Sequence, residues 1–153
     1  MISQLSGNAD LLAVARHWAT HPETWPVSAR FDPVDRWYAR LAASVEHEVW
    51  LLTWLPGQGT DLHDHGGSSG AFVVVAGTLT EETVSGGRLR PARLDIGGGR
   101  RFGANYVHRV SNRGDRAATS VHVYRPKLTR MTNYHLVDGT LRAVEVAEAG
   151  VAW

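Results

Sequence analysis

The chain has no cysteine among its 153 residues. That excludes disulfides, thiolate metal sites and a cysteine nucleophile. No apolar run approaches the ~20 residues of a membrane span. The opening stretch, MISQLSGNAD, sets no basic region before an apolar run, so no signal peptide is expected. Net charge is nearly absent too. A formal net charge of +1 gives no field of the kind that draws nucleic acid or a membrane surface. A cytoplasmic chain with neither as a partner is the expectation, and a monomer or weak homo-oligomer.

What is present suits a single globular domain, with 43% hydrophobic and 20% charged residues. Eight histidines and six tryptophans are many for this length, so the histidines are worth placing one by one. Residues 8–19, NADLLAVARHWA, have apolar residues at helical spacing behind Asn8 or Asp10 as a cap. HPETWP (21–26) breaks that helix with two prolines. PVDRWYARLAA (33–43) reads as a second helix, with Asp32 as cap and Pro33 at the first helical position. From about residue 45 short β-rich runs alternate with glycine turns: 45–55, 60–65, 70–78, 79–84, 88–95, 100–110, 117–125 and 132–146. The pattern predicts an all-β barrel over about 45–147, preceded by two or three helices over about 1–44, as one domain.

The stretch GQGTDLHDHGGSSGAFVVVAG (57–77) carries His63 and His65 one residue apart. On extended chain such a pair aims both imidazoles the same way, which is how a β-scaffold grips a transition metal. His108, in FGANYVHRVSN, is the best third ligand. His122 alternates with Ser120 and Tyr124 on one strand face, a polar row lining a cavity. His17, His21, His47 and His135 read as surface or hydrogen-bonded core residues. Three histidines without cysteine leave a catalytic zinc or an iron-like centre with open positions.

These spacings resemble the cupin motifs. Gly57, His63, His65 and Gly77 fit the first, with Gly70 at its glutamate position. Gly97, His108 and Asn112 fit the second, with Gly103 and Asn105 replacing its proline and glycine. Further segments resemble the cysteine dioxygenase family: Tyr38-x-Arg40, the run His63 to Ser68, His108 to Val110, and Ser120-x-His122-x-Tyr124. The resemblance implies non-haem Fe(II) on His63, His65 and His108. It implies a carboxylate clamp at Arg40, with Tyr38 beside it, and substrate contact at Tyr124, oriented by His122 and Ser120. Arginine rather than glutamine at position 40 points, within that family, to cysteine rather than 3-mercaptopropionate. Family members of animal origin crosslink a cysteine at the Gly70 position to the tyrosine, which this chain cannot do. The family's Tyr-Ser-Pro-Pro is here Tyr124-Arg125-Pro126-Lys127, so Arg125 is expected at the pocket mouth.

The implied activity is oxidation of cysteine, or a similar small thiol carboxylate, by O2 to the sulfinic acid. Two other readings stand beside it: another cupin metalloenzyme, such as an isomerase or a dioxygenase of a carbon substrate, and a non-catalytic binding cupin.

Overall fold

The computed structural model describes residues 10–148. They form one helix, α1 (Leu11–Thr20), a 3-10 turn (Pro22–Thr24) and strands β1 (Tyr38–Ala43), β2 (Glu48–Trp54), β3 (Leu62–His63), β4 (Ser69–Ala76), β5 (Leu79–Ser85), β6 (Arg88–Leu94), β7 (Gly99–Phe102), β8 (His108–Ser111), β9 (Ala118–Arg125), β10 (Arg130–Val137) and β11 (Thr140–Glu148). Two sheets result, ordered β1-β2-β9-β4-β7 and β11-β10-β3-β8-β5-β6. Every pairing is antiparallel, and consecutive strands often sit in opposite sheets, as in a jelly-roll barrel.

The five-stranded sheet is covered on both sides. One face meets α1, and Val49, Leu51, Ala71, Val73, Val121 and Val123 pack there with Leu11 and Ala15. The other face looks into the barrel, where Leu52, Trp54, Phe72, Val74, Phe102 and Tyr124 form the second core. Central strand β9 is therefore buried from Ala118 to Tyr124, with valines towards the helix and Ser120, His122 and Tyr124 towards the barrel. The side-chain period of two sorts this strand into one apolar and one chemical face. Burying a leucine such as Leu11 against it contributes about 1.5–3 kcal/mol.

The first helix stands where the sequence put it, with Asp10 Oδ1 accepting the Leu12 N–H at 3.0 Å. The second does not exist, so the preface has one helix and a 3-10 turn. Asp32 does cap backbone donors, accepting from Val34 N at 2.8 Å and Asp35 N at 3.3 Å, but it closes a turn. The chain then extends as β1 along β2. Trp37 and Leu41, four residues apart, are apolar neighbours on a helix, yet an even spacing also shares one face of extended chain. Both pack under α1. The run expected over 100–110 is divided into β7 and β8, and that over 132–146 is a hairpin turning at Asp138-Gly139. The Arg125–Pro126 peptide is cis. None of the described helices is long and apolar enough to cross a membrane. Asn8, the alternative cap, lies outside the described residues.

Candidate metal centre

His63 ends β3 and His108 opens β8, and the two are cross-strand partners. His65 follows two residues after His63. The link between them is fixed by Asp64, whose Oδ1 accepts from Gly66 N at 3.1 Å and Thr132 N at 3.0 Å, while Oδ2 accepts from Tyr134 Oη at 2.7 Å. Gly66 makes the turn at φ +59°, where a Cβ would stand 2.5 Å from the Arg130 carbonyl oxygen. The three imidazoles converge, with ring centroids 4.9, 4.8 and 5.0 Å apart. All three are buried, and one nitrogen from each falls within 4.8 Å of the others.

The surroundings of His63 and His65 favour the neutral, metal-binding form. Burial, with the neighbouring His108, pushes His63 down to about 3. Burial, then His63 and His108, holds His65 well below its ordinary value. His63 Nδ1 contacts the Asp61 carbonyl at 2.8 Å and His108 Nδ1 contacts Glu81 Oε2 at 2.9 Å, leaving Nε2 of each for a ligand role. His65 Nδ1 is buried without a partner among the described residues. Three nitrogens this close can converge on one divalent ion, whose bonds to imidazole nitrogen run ~2.0–2.1 Å. The donor set fits a transition metal.

The residue absent from position 70 has a physical replacement. A Cβ on Gly70 would meet Phe102 Cζ at 2.5 Å, Val123 O at 2.6 Å and Phe102 Cε2 at 2.8 Å. The Phe102 ring occupies the space and stacks on His65 at 4.3 Å. Gly70 is also the direct cross-strand partner of Tyr124. A carboxylate ligand or a crosslinking side chain there would have to displace the Phe102 ring and the Val123 carbonyl. We expect Gly70→Ala to lower stability by about 1–3 kcal/mol through overpacking, read from urea unfolding. Unchanged stability would show that Phe102 yields freely. Phe102→Ala should not fully relieve Gly70→Ala, because the Val123 carbonyl is backbone.

A cavity of about 680 Å³ opens on one side of the centre, lined by Arg36, Tyr38, Trp54, His63, His122 and Tyr124 among others. Ser120 Oγ lies 2.7 Å from His122 Nε2 and accepts the Trp54 indole N–H at 2.8 Å. His122 stacks on Phe72 at 5.1 Å, and Tyr124 stacks on His65 at 5.5 Å. Burial, then the nearby Glu48, pushes the Tyr124 phenol up, so it remains an O–H donor at neutral pH. The polar row thus stands beside the three histidines, as its alternation implied. The His122 and Tyr124 rings are 6.4 Å apart.

Two expected residues are placed elsewhere. Arg40 is exposed, across from Trp50, and does not line the cavity. The cation that does is Arg36, two residues before Tyr38 on the approach to β1. Its guanidinium lies 5.1 Å above the Trp54 ring, and its Nη1 is buried without a partner among the described residues. Burial lowers its pKa to about 10, so it stays charged at neutral pH. Arg125 also leaves the pocket mouth. It lines a separate depression with Asp10, Ser69 and Arg101, and Phe102 contributes to that wall as well as packing on His65.

The model of one protein family, cysteine dioxygenase type I, matches residues 2–136. The chain belongs to that family. A search of curated proteins finds none that matches. Among solved structures, TT1209 of Thermus thermophilus is similar at 24% identity and TM-score 0.58, over 65% of this chain and 90% of that one. A double-stranded β-helix protein of Klebsiella pneumoniae is similar at 19% identity and TM-score 0.57, over 64% and 78%. An oxalate oxidase bound to the substrate analogue glycolate is similar at 14% identity and TM-score 0.54, over 64% and 55%. These likenesses show the cupin fold.

For a cysteine dioxygenase family member, then, the sequence located the three histidines and the Ser120–Tyr124 row. It missed Arg36, Glu81, Trp54 and Phe102. Arg36 shares the parity of Tyr38 and Arg40, so the period of two applied to a strand would have offered it as a candidate. The helical reading of 33–43 hid that signal. Glu81 sits in TEET on β5, beside Glu82, and only the barrel brings it to His108.

Proposed function

We propose that this chain is an iron-dependent dioxygenase of small thiols bearing a carboxylate, L-cysteine first among them, forming the sulfinic acid. The observation that carries this is an all-histidine centre with no carboxylate at Gly70, beside a cavity that also holds the half-buried cation Arg36. Three neutral imidazoles leave a divalent ion's charge uncompensated, which favours an anionic, chelating substrate. The family match supports the same chemistry.

The balance closes without an outside reductant. The thiolate sulfur gains two oxygen atoms and loses four electrons, and one O2 supplies the atoms and takes the electrons. His63, His65 and His108 would hold the ion. Ferrous iron, when bound, supplies the redox chemistry linking a thiolate to O2. The rest falls to the chain's own side chains. Arg36 receives the substrate carboxylate with its planar fork of donors. Tyr38 and Tyr124 offer phenolic donors along the same wall. Ser120, held by the Trp54 indole, keeps the His122 ring in place. Leu52, Trp54, Val110 and Met131 give the cavity its apolar part, beside which a charge interaction is stronger than in water. With Arg40 outside the cavity, the choice between cysteine and 3-mercaptopropionate passes to Arg36 and the length it can reach.

The test is O2 uptake by Fe(II)-loaded protein with cysteine, 3-mercaptopropionate, a thiol lacking a carboxylate, and a carbon acid such as glycolate. Uptake with the thiol carboxylates, and little with the uncharged thiol, is the expected result. Uptake with the carbon acid alone would move the protein to another cupin chemistry.

A further inference from the structure

The carboxylate absent from position 70 has a counterpart one layer out. Glu81, on β5, is 1% exposed. Its Oε2 accepts from His108 Nδ1 at 2.9 Å and from Tyr106 Oη at 2.9 Å, and its Oε1 accepts from Arg100 Nε at 2.9 Å. All three donors come from elements packed around it: Arg100 from β7, Tyr106 from the β7–β8 turn and His108 from β8. Three donors thus converge on a carboxylate closed off from water.

The three histidines differ in what stands behind them. Among the described residues, Nδ1 of His63 meets a backbone carbonyl, that of His65 has no partner, and only that of His108 meets a charged group. Arg100 offsets part of that charge, but its side chain is 40% exposed and screened by water, whereas Glu81 is not.

We infer that Glu81 is a positioning residue for the metal centre: through its bond to His108 Nδ1 it fixes that ring as the Nδ1–H tautomer, aims Nε2 at the ion and makes it a stronger donor. The inference rests on His63, His65 and His108 being the metal ligands. In this chain the negative charge then acts on the metal through one imidazole, rather than by direct ligation from position 70. Carboxylate partners of this kind raise ligand basicity, and their loss costs ~10–100-fold in metal affinity.

The experiment is Co(II) titration of apo-protein, followed by the visible ligand-field bands and by calorimetry, with thermal melting of each apo form. Glu81→Gln keeps a carbonyl oxygen for the His108 N–H and removes the charge. It should weaken Co(II) binding ~10–100-fold and shift the bands, with apo melting near wild type. Arg100→Gln leaves the Glu81 charge and removes the cation that offsets it. It should bind Co(II) as tightly as wild type or more tightly. Glu81→Gln binding Co(II) within about twofold of wild type with unshifted bands would overturn the inference. So would parallel weakening in Arg100→Gln, which would make the cluster a strand brace; this arm stands even if Glu81→Gln fails to fold. Failure of wild-type protein to bind Co(II) at all would instead overturn the three-histidine centre beneath it.

Discussion

His63→Ala should leave a folded protein that no longer retains iron. Each ligand contributes one of three nitrogens, and the site has no carboxylate at Gly70 to take over. Loss of an outer partner costs ~10–100-fold in metal affinity, so loss of a ligand should cost on the order of a thousandfold or more. Metal analysis after gel filtration reads this directly, with apo melting to confirm folding. His122→Ala is the comparison. His122 lines the same cavity but is tied to Ser120 and stacked on Phe72, so its removal should leave iron content near wild type. Iron retained by His63→Ala and lost by His122→Ala would mean that the ligand set is wrong.

The second large effect belongs to Arg36→Ala. The half-buried Arg36 guanidinium has its Nη1 shielded from water without an acceptor among the described residues, and a substrate carboxylate would provide one. Hydrogen bonds to charged groups contribute ~1.5–3 kcal/mol, and truncating one side of a buried charged pair costs more. A fall in kcat/KM of about a hundredfold, carried mostly by KM, is expected, with iron content unchanged. Arg36→Lys should recover only part of it, because a point charge replaces the fork and its stacking on Trp54 is lost. Arg40→Ala, on the exposed side, should change KM little. The opposite ranking of the two arginines, measured by O2 uptake across a cysteine series, would return the clamp to Arg40.

The two arginines also show what the sequence could and could not disclose. His63, His65 and His108 were legible because their chemistry is rare and their spacing local to two β segments. Ser120, His122 and Tyr124 were legible because a period of two needs only the strand. The β1 region was misread because the signals there are ambiguous. Asp32 followed by Pro33 is a helix start in one context and a turn in another, and Trp37 with Leu41 fits both periods. On a helix Arg36 and Arg40 share a face, and the family resemblance favours Arg40; only the extended chain of β1 separates them. Glu81 and Phe102 were beyond reach for another reason. Their roles exist only after β5, β7 and β8 pack around the histidines, and neither residue type announces such a role alone. Gly70 was informative as an absence, but that Phe102 fills the space is a fact of packing.

The most direct measurement of the central claim is the product formed under isotope-labelled O2 by iron-loaded protein with L-cysteine or 3-mercaptopropionate, quantified with O2 consumed. A sulfinate carrying both labelled atoms, one per O2 consumed and absent in His63→Ala, is the predicted result. Disulfide alone, or no O2 consumption by a protein that holds its iron, would contradict the assignment of this centre to thiol dioxygenation.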